Sequence, residues 1–90
     1  MDIFQKQPTD QLDYDLDFSE WLPDTDVITG VEAEASSPDL DIIAASIHGT
    51  TAKIFIGGGL DNTTYKVTAT IATKEGRIKE HDFKIRVRNT

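Results

Sequence analysis

"GLDNTTYKVTATI", residues 59–71, decides the fold. A polar, glycine-led loop gives way to Tyr65, and from there the residues alternate. Tyr65, Val67, Ala69 and Ile71 share one face, and Lys66, Thr68 and Thr70 share the other. That alternation is the period of a half-buried strand. A tyrosine opening a late strand, just after a polar loop, stands where a tyrosine corner forms in immunoglobulin-like sandwiches, with the phenol bonded back to upstream backbone. Tyr65 is therefore assigned to the fold rather than to a ligand.

The same grammar extends in both directions. Upstream, "LDIIAASI" (40–47) and "AKIFIGG" (52–58) flank the short "HGTT" turn and predict a hairpin. The first of these reads as too apolar for an edge strand. Further back, "DVITGVEAEAS" (26–36) is a strand with Val31, Ala33 and Ala35 inward, Glu32 and Glu34 outward, and a bulge at Gly30. In "QLDYDLDF" (11–18), Leu12, Tyr14, Leu16 and Phe18 face a core while Asp13, Asp15 and Asp17 face water. "SEWLPD" then allows one helical turn, capped by Ser19 and ended by Pro23. Downstream, "KEG" (74–76) is a turn with Gly76 at a positive-φ position. In the last strand, "RIKEHDFKIRVRN" (77–89), Phe83, Ile85 and Val87 point in and Lys84, Arg86 and Arg88 point out. Ile78 is out of phase with them, which predicts a bulge near residues 80–82. Six or seven short strands with turns about every ten residues predict an all-β, immunoglobulin-like sandwich over 11–90. Residues 1–10 have little to bury and are expected to form an extended arm carrying Phe4.

Ninety residues make one small domain with limited capacity to bury surface. The chain has no cysteine, so neither disulfides nor thiolate metal sites are expected. No apolar run resembles a secretion signal or a membrane helix, so a cytosolic product with no membrane role is expected. The net charge of −7 argues against general nucleic-acid binding. Its distribution is uneven: residues 1–41 carry −11 and residues 42–90 carry +4. Either the halves neutralise each other within one fold, or one subunit's acidic surface meets a neighbour's basic surface.

Catalytic and metal-binding patterns fail on inspection. Asp13, Asp15 and Asp17 match the first three ligand positions of a calcium loop, but Phe18 stands where the turn needs glycine. The three carboxylates are then either protection for an edge strand or an acidic strip for a partner. "GGGLDN" (57–62) lacks the lysine of a phosphate loop. His48 and His81 come with no recognisable nucleophile or orienting group. No cofactor and no enzymatic activity are expected. Trp21, the single tryptophan, either packs on the core or anchors an interface.

The stretches "KQPTDQLDYDLDFSEWL" (6–22), "IGGGLDNTTYKVT" (56–68) and "TKEGRIKEHDFKIRV" (73–87) resemble the phage fiber-tail adaptor proteins. The shared pattern is an early Lys-x-Pro, a Tyr-x-x-Asp-aromatic-Ser-x-Trp-Leu run, a Gly-Gly loop before Tyr-x-Val-Thr, and a Thr-x-x-Gly-Arg turn. Two departures are Phe18, where the pattern has tryptophan, and "DTDV" before Ile28, where it has a Gly-Asp pair. The resemblance implies a non-enzymatic virion component of the tail or neck, assembled in the host cytoplasm and present in several symmetric copies. Its partners are other tail, neck or fiber proteins. A capsid decoration protein and a free-standing binding module are the alternatives, the latter needing a platform made from Phe4, Tyr14 and Trp21. Candidate interface residues are Phe4, Asp13, Asp15, Asp17, Trp21, Lys84, Arg86 and Arg88, with Tyr65 and Gly76 as structural residues.

Overall fold

A computed structural model describes residues 2–89 of the chain. Seven strands follow in order: β1 (Asp2–Lys6), β2 (Leu12–Asp17), β3 (Ile28–Ala35), β4 (Leu40–His48), β5 (Thr51–Gly58), β6 (Thr63–Thr73) and β7 (Ile78–Val87). They form two sheets, β1-β7-β6-β3 and β2-β5-β4. Every pairing is antiparallel except β1 with β7, which is parallel. Strands two, four and five on one side and three, six and seven on the other make the immunoglobulin-like arrangement. The first strand joins the sheet of the last.

The inward residues are those the alternation selects. Phe83, Ile85 and Val87 from β7 meet Val67, Ala69 and Ile71 from β6, and Ala52, Ile54 and Ile56 come from β5. All nine are fully buried. Tyr14, Leu16 and Phe18 close one side. Leu12 has the same parity but opens its edge strand and stays 40% exposed. Val31, Ala33 and Ala35 are half-buried, as an edge strand of mostly small residues allows. The bulge expected near Gly30 is present, with the β3–β6 register shifting between Ile28 and Gly30.

The tyrosine corner forms. Leu60 N–H donates to the Tyr65 hydroxyl at 2.9 Å, and Tyr65 itself is buried. Gly59 lets the chain pass beneath it: a Cβ there would lie 2.7 Å from Val87 Cγ2, on backbone with φ +94°. Gly76 has φ +90° in the β6–β7 turn, as its place in "KEG" requires. Removing the corner hydroxyl with Tyr65→Phe leaves the Leu60 N–H without its partner. The expected loss is about 1 kcal/mol, read as a fall in Tm of roughly 4–8 °C for a domain of this size.

Four expectations change. Residues 2–6 are not an arm. β1 pairs along β7 from Asp2 opposite Phe83 to Lys6 opposite Val87. Phe4 packs its ring 5.0 Å from Tyr14 and 5.8 Å from Phe83, which removes it as a free anchor. β4 is an edge strand despite its apolar content. A bulge between Ile42 and Ala44 breaks its register and leaves Ile43 half exposed, and such bulges discourage edge-to-edge pairing. No bulge interrupts β7. Its register with β6 runs unbroken from Ile78 to Val87, and Ile78 simply faces out at 72% exposure. Lastly, the turn after β2 is capped by Asp17 rather than Ser19. The Asp17 carboxylate accepts the Ser19 N–H at 2.9 Å, while Trp21 and Leu22 N–H groups donate to Phe18 C=O.

Candidate functional site

Strand alternation places the two charged stripes on opposite outer faces of the sandwich. Asp13, Asp15 and Asp17 project from β2 on the outside of the β2-β5-β4 sheet, and all three are exposed. Asp13 pairs with Lys53 of β5 at 3.2 Å. That hydrogen bond holds the Asp13 carboxyl below its ordinary value, and the Ser19 N–H does the same for Asp17. Along an extended strand these carboxylates repeat every 6.6–7 Å or so, too far apart to share one cation. Among the described residues no acidic or histidine cluster has metal-holding geometry. Phe55 (38% exposed) and Ile43 (51%) add an apolar centre to the same face. Ile43 lies over Gly57, where a Cβ would come within 2.9 Å of its Cδ1.

The outside of the β1-β7-β6-β3 sheet is bipolar. Along β7 the outward residues run Ile78, Glu80, Asp82, Lys84, Arg86. Lys66 stands opposite Lys84, and Thr68 donates to Asp82 at 2.7 Å. Glu32 and Glu34 sit across Thr70 and Thr68 at the acidic end. Arg88 follows the strand, exposed, with its N–H donating to Lys6 C=O. Two sheets packed face to face stand about 10 Å apart, so Lys84 and Arg86 cannot reach the aspartates of β2 within one chain. The two stripes therefore do not meet within one chain; Asp13 is instead paired with Lys53 of its own sheet, and Lys66 with Asp82 at 3.9 Å.

Trp21 lies at a third place, where β2 leaves the sandwich beside the start of β7. Its ring meets Phe18 edge-on at 6.5 Å, and Lys79 Nζ sits 5.1 Å above it. It is 37% exposed, while its neighbour Leu22 supplies the buried contact. Phe4, half-buried, and Tyr14, buried, pack tilted against each other away from Trp21, so the three aromatics form no common platform.

Two buried charges escaped the sequence reading. Lys6 is only 3% exposed, and its ammonium donates to the backbone carbonyls of Gln7, Pro8 and Gly58. Burial pushes its pKa down, and Asp10 partly opposes the shift. The clue was its parity: Lys6 is two residues after Phe4 and shares its inward face. Asp26 is 1% exposed and accepts from Val27 N–H, Glu75 N–H and Arg77 Nη1, the last at 2.7 Å. Burial alone raises its carboxyl, but hydrogen bonds from Thr73, Glu75, Arg77 and Val27 outweigh it and leave it below 3.8. Glu75, bonded to Thr25 and Arg77, is likewise held below 4.5. Nothing in an acid-rich segment marks Asp26 as the one that turns inward.

Both carboxyls bind protons less readily in the folded chain than in the unfolded one. The unfolded state therefore takes up more protons as acid is added. Stability is complete above the ordinary values and is lost as pH falls through the lower folded ones. Urea unfolding is expected to shift to lower denaturant between pH 6 and about pH 3. Asp26→Asn should weaken the protein at neutral pH and flatten that acid dependence.

The fold and its surfaces define a class: a small immunoglobulin-like sandwich whose distinguishing features are charged and apolar patches on opposite outer faces. Comparison with protein families makes the assignment definite. The model of the Podophage GP4 fiber-tail adaptor protein gp77 family matches residues 6–86, and the chain belongs to that family of structural phage tail proteins. A comparison with curated protein sequences gave no match. The matched span opens at Lys6, the buried lysine, and takes in both charged strands and the tyrosine corner.

Proposed function

We propose that the protein joins fibers to the tail by assembling front to back with further copies of itself, leaving part of each subunit free for other tail proteins. The observation that carries this is the placement of opposite charge on opposite faces. The basic end of one outer face, with Lys66, Lys84 and Arg86, is complementary to the acidic outer face of the next subunit, with Asp13, Asp15 and Asp17. Phe55 and Ile43 supply apolar area at the centre of that contact. Such a contact joins unlike surfaces, so it propagates from copy to copy and closes into a ring when the rotation per subunit permits.

The family supports the adaptor role, and the geometry supports the copy-to-copy contact. The adaptor role is tested with particles made without this protein. Their tails are expected to lack fibers, and purified protein added back should restore them. Full fiber occupancy on particles lacking the protein contradicts the reading.

A further inference from the structure

β1 covers only part of β7. Its first described pair is Asp2 with Phe83, so Ile78–His81 run on with β6 on one side and, among the described residues, no strand on the other. The phase of the ladder shows which backbone groups this leaves open. In an antiparallel pair, successive residues turn their N–H and C=O alternately toward the neighbour and away from it. Thr73 N–H donates to Arg77 C=O across the turn, so odd-numbered residues of β7 point toward β6. Arg88 N–H donates to Lys6 C=O on the other side, so even-numbered residues point toward β1. Ile78 and Glu80 therefore turn their backbone groups to an edge that no described residue fills, and both residues are exposed.

A cleft of about 270 Å³ opens at the same place. Asp15, Asp17, Glu20, Trp21, Lys79 and His81 are among its lining residues. Acidic residues outnumber the one lysine in this lining, and the Lys79 ammonium is engaged over the Trp21 ring. That strand edge and an acidic, aromatic cleft beside it are complementary to one kind of ligand.

We propose that this edge is a strand-addition site for an extended, basic segment of a partner protein, in line with β1. The inference rests on the adaptor reading for the identity of the partner as a fiber or tail protein. Backbone bonds to Ile78 and Glu80 hold the segment, and its alternate side chains select it. Every second side chain falls on the cleft side, where lysine or arginine meets its acidic lining, Glu20 first. The others fall beside Ile78, where an apolar residue fits.

The test uses the full chain and a short capped peptide of alternating valine and lysine, in about 0.15 M salt. Amide resonances of Ile78 and Glu80 and the Trp21 indole are expected to shift and saturate together. At a peptide concentration about ten times Kd, exchange at those two amides should slow roughly tenfold. The same peptide with glutamate for lysine, and a version N-methylated along its backbone, should do neither. Absence of any shift at Ile78 and Glu80 overturns the proposal. So does equal binding of either control peptide. Protection of these amides by concentrated protein alone also overturns it, because the occupant is then a second copy. No other phage protein is present in this experiment, so its failure leaves the fiber-attachment reading standing.

Discussion

A chain lacking residues 1–10 is expected to lose most of its folding stability. The reason lies in what those residues bury. Phe4 packs tilted against Tyr14 and edge-on to Phe83, and its removal opens a space against two core side chains. Lys6 ties the end of β1 to Gly58 and to its own following loop, and its loss leaves the Gly58 carbonyl without that donor. The parallel ladder along Phe83–Val87 goes as well, exposing the edge of the strand that carries Phe83, Ile85 and Val87 into the core. Removing a fully buried phenylalanine costs about 3–5 kcal/mol, and the half-buried Phe4 correspondingly less; the lost hydrogen bonds add about 1–2 kcal/mol. Ninety residues support a total of only about 5–13 kcal/mol. Circular dichroism should show the truncated chain melting far below the intact one, or not folding cooperatively at all. Melting within a few degrees of the intact chain contradicts this account of β1.

The second large effect is on assembly. Lys84→Glu together with Arg86→Glu turns the basic end of one outer face acidic, so two acidic surfaces oppose each other at every copy-to-copy contact. Both side chains are exposed and take no part in the core, so Tm should change little. Exposed ion pairs contribute only about 0.2–1 kcal/mol each, but the reversal replaces attraction with repulsion at both positions. The contact should weaken at least about tenfold, which corresponds to 1.4 kcal/mol. Asp13→Lys with Asp15→Lys should do the same from the other face. Mixing the two variants should restore association in alternating copies, because every mixed contact then pairs an acidic face with a basic one. Restoration by mixing separates a matched interface from a general effect of charge. Unchanged association of either variant alone places the contact elsewhere.

Much of this was legible in the sequence. Tyr65 and the glycine before its loop marked the corner, because few arrangements bring a tyrosine to the start of a strand after such a loop. The alternation in residues 12–18 and 83–87 gave the core faces and the outward charges. The errors share one cause: sequence shows parity but not what lies beyond an edge. Ile78 looked out of phase only because an apolar residue was assumed to point inward. β4 looked central because its apolar residues were counted without knowing that a bulge turns Ile43 outward. β1 looked like an arm because a five-residue strand joined in parallel to the far end of the chain leaves no local signature. Among candidate site residues, the aspartates of β2 and the basic residues of β7 were readable as stripes. That they lie on opposite faces was not, since that depends on which sheet each strand joins. Lys6 and Asp26 were missed because burial of a single charge depends on partners remote in sequence: Gly58 for one, Glu75 and Arg77 for the other.

The most direct measurement is the mass of the purified full chain in solution at low and high salt, by light scattering behind a sizing column. Screening shortens the reach of exposed charges from about 30 Å at 0.01 M salt to about 3 Å at 1 M. Front-to-back assembly through the charged outer faces predicts a closed oligomer at low salt that falls toward the monomer as salt rises. A monomer at both salt concentrations, or an oligomer indifferent to salt, contradicts it.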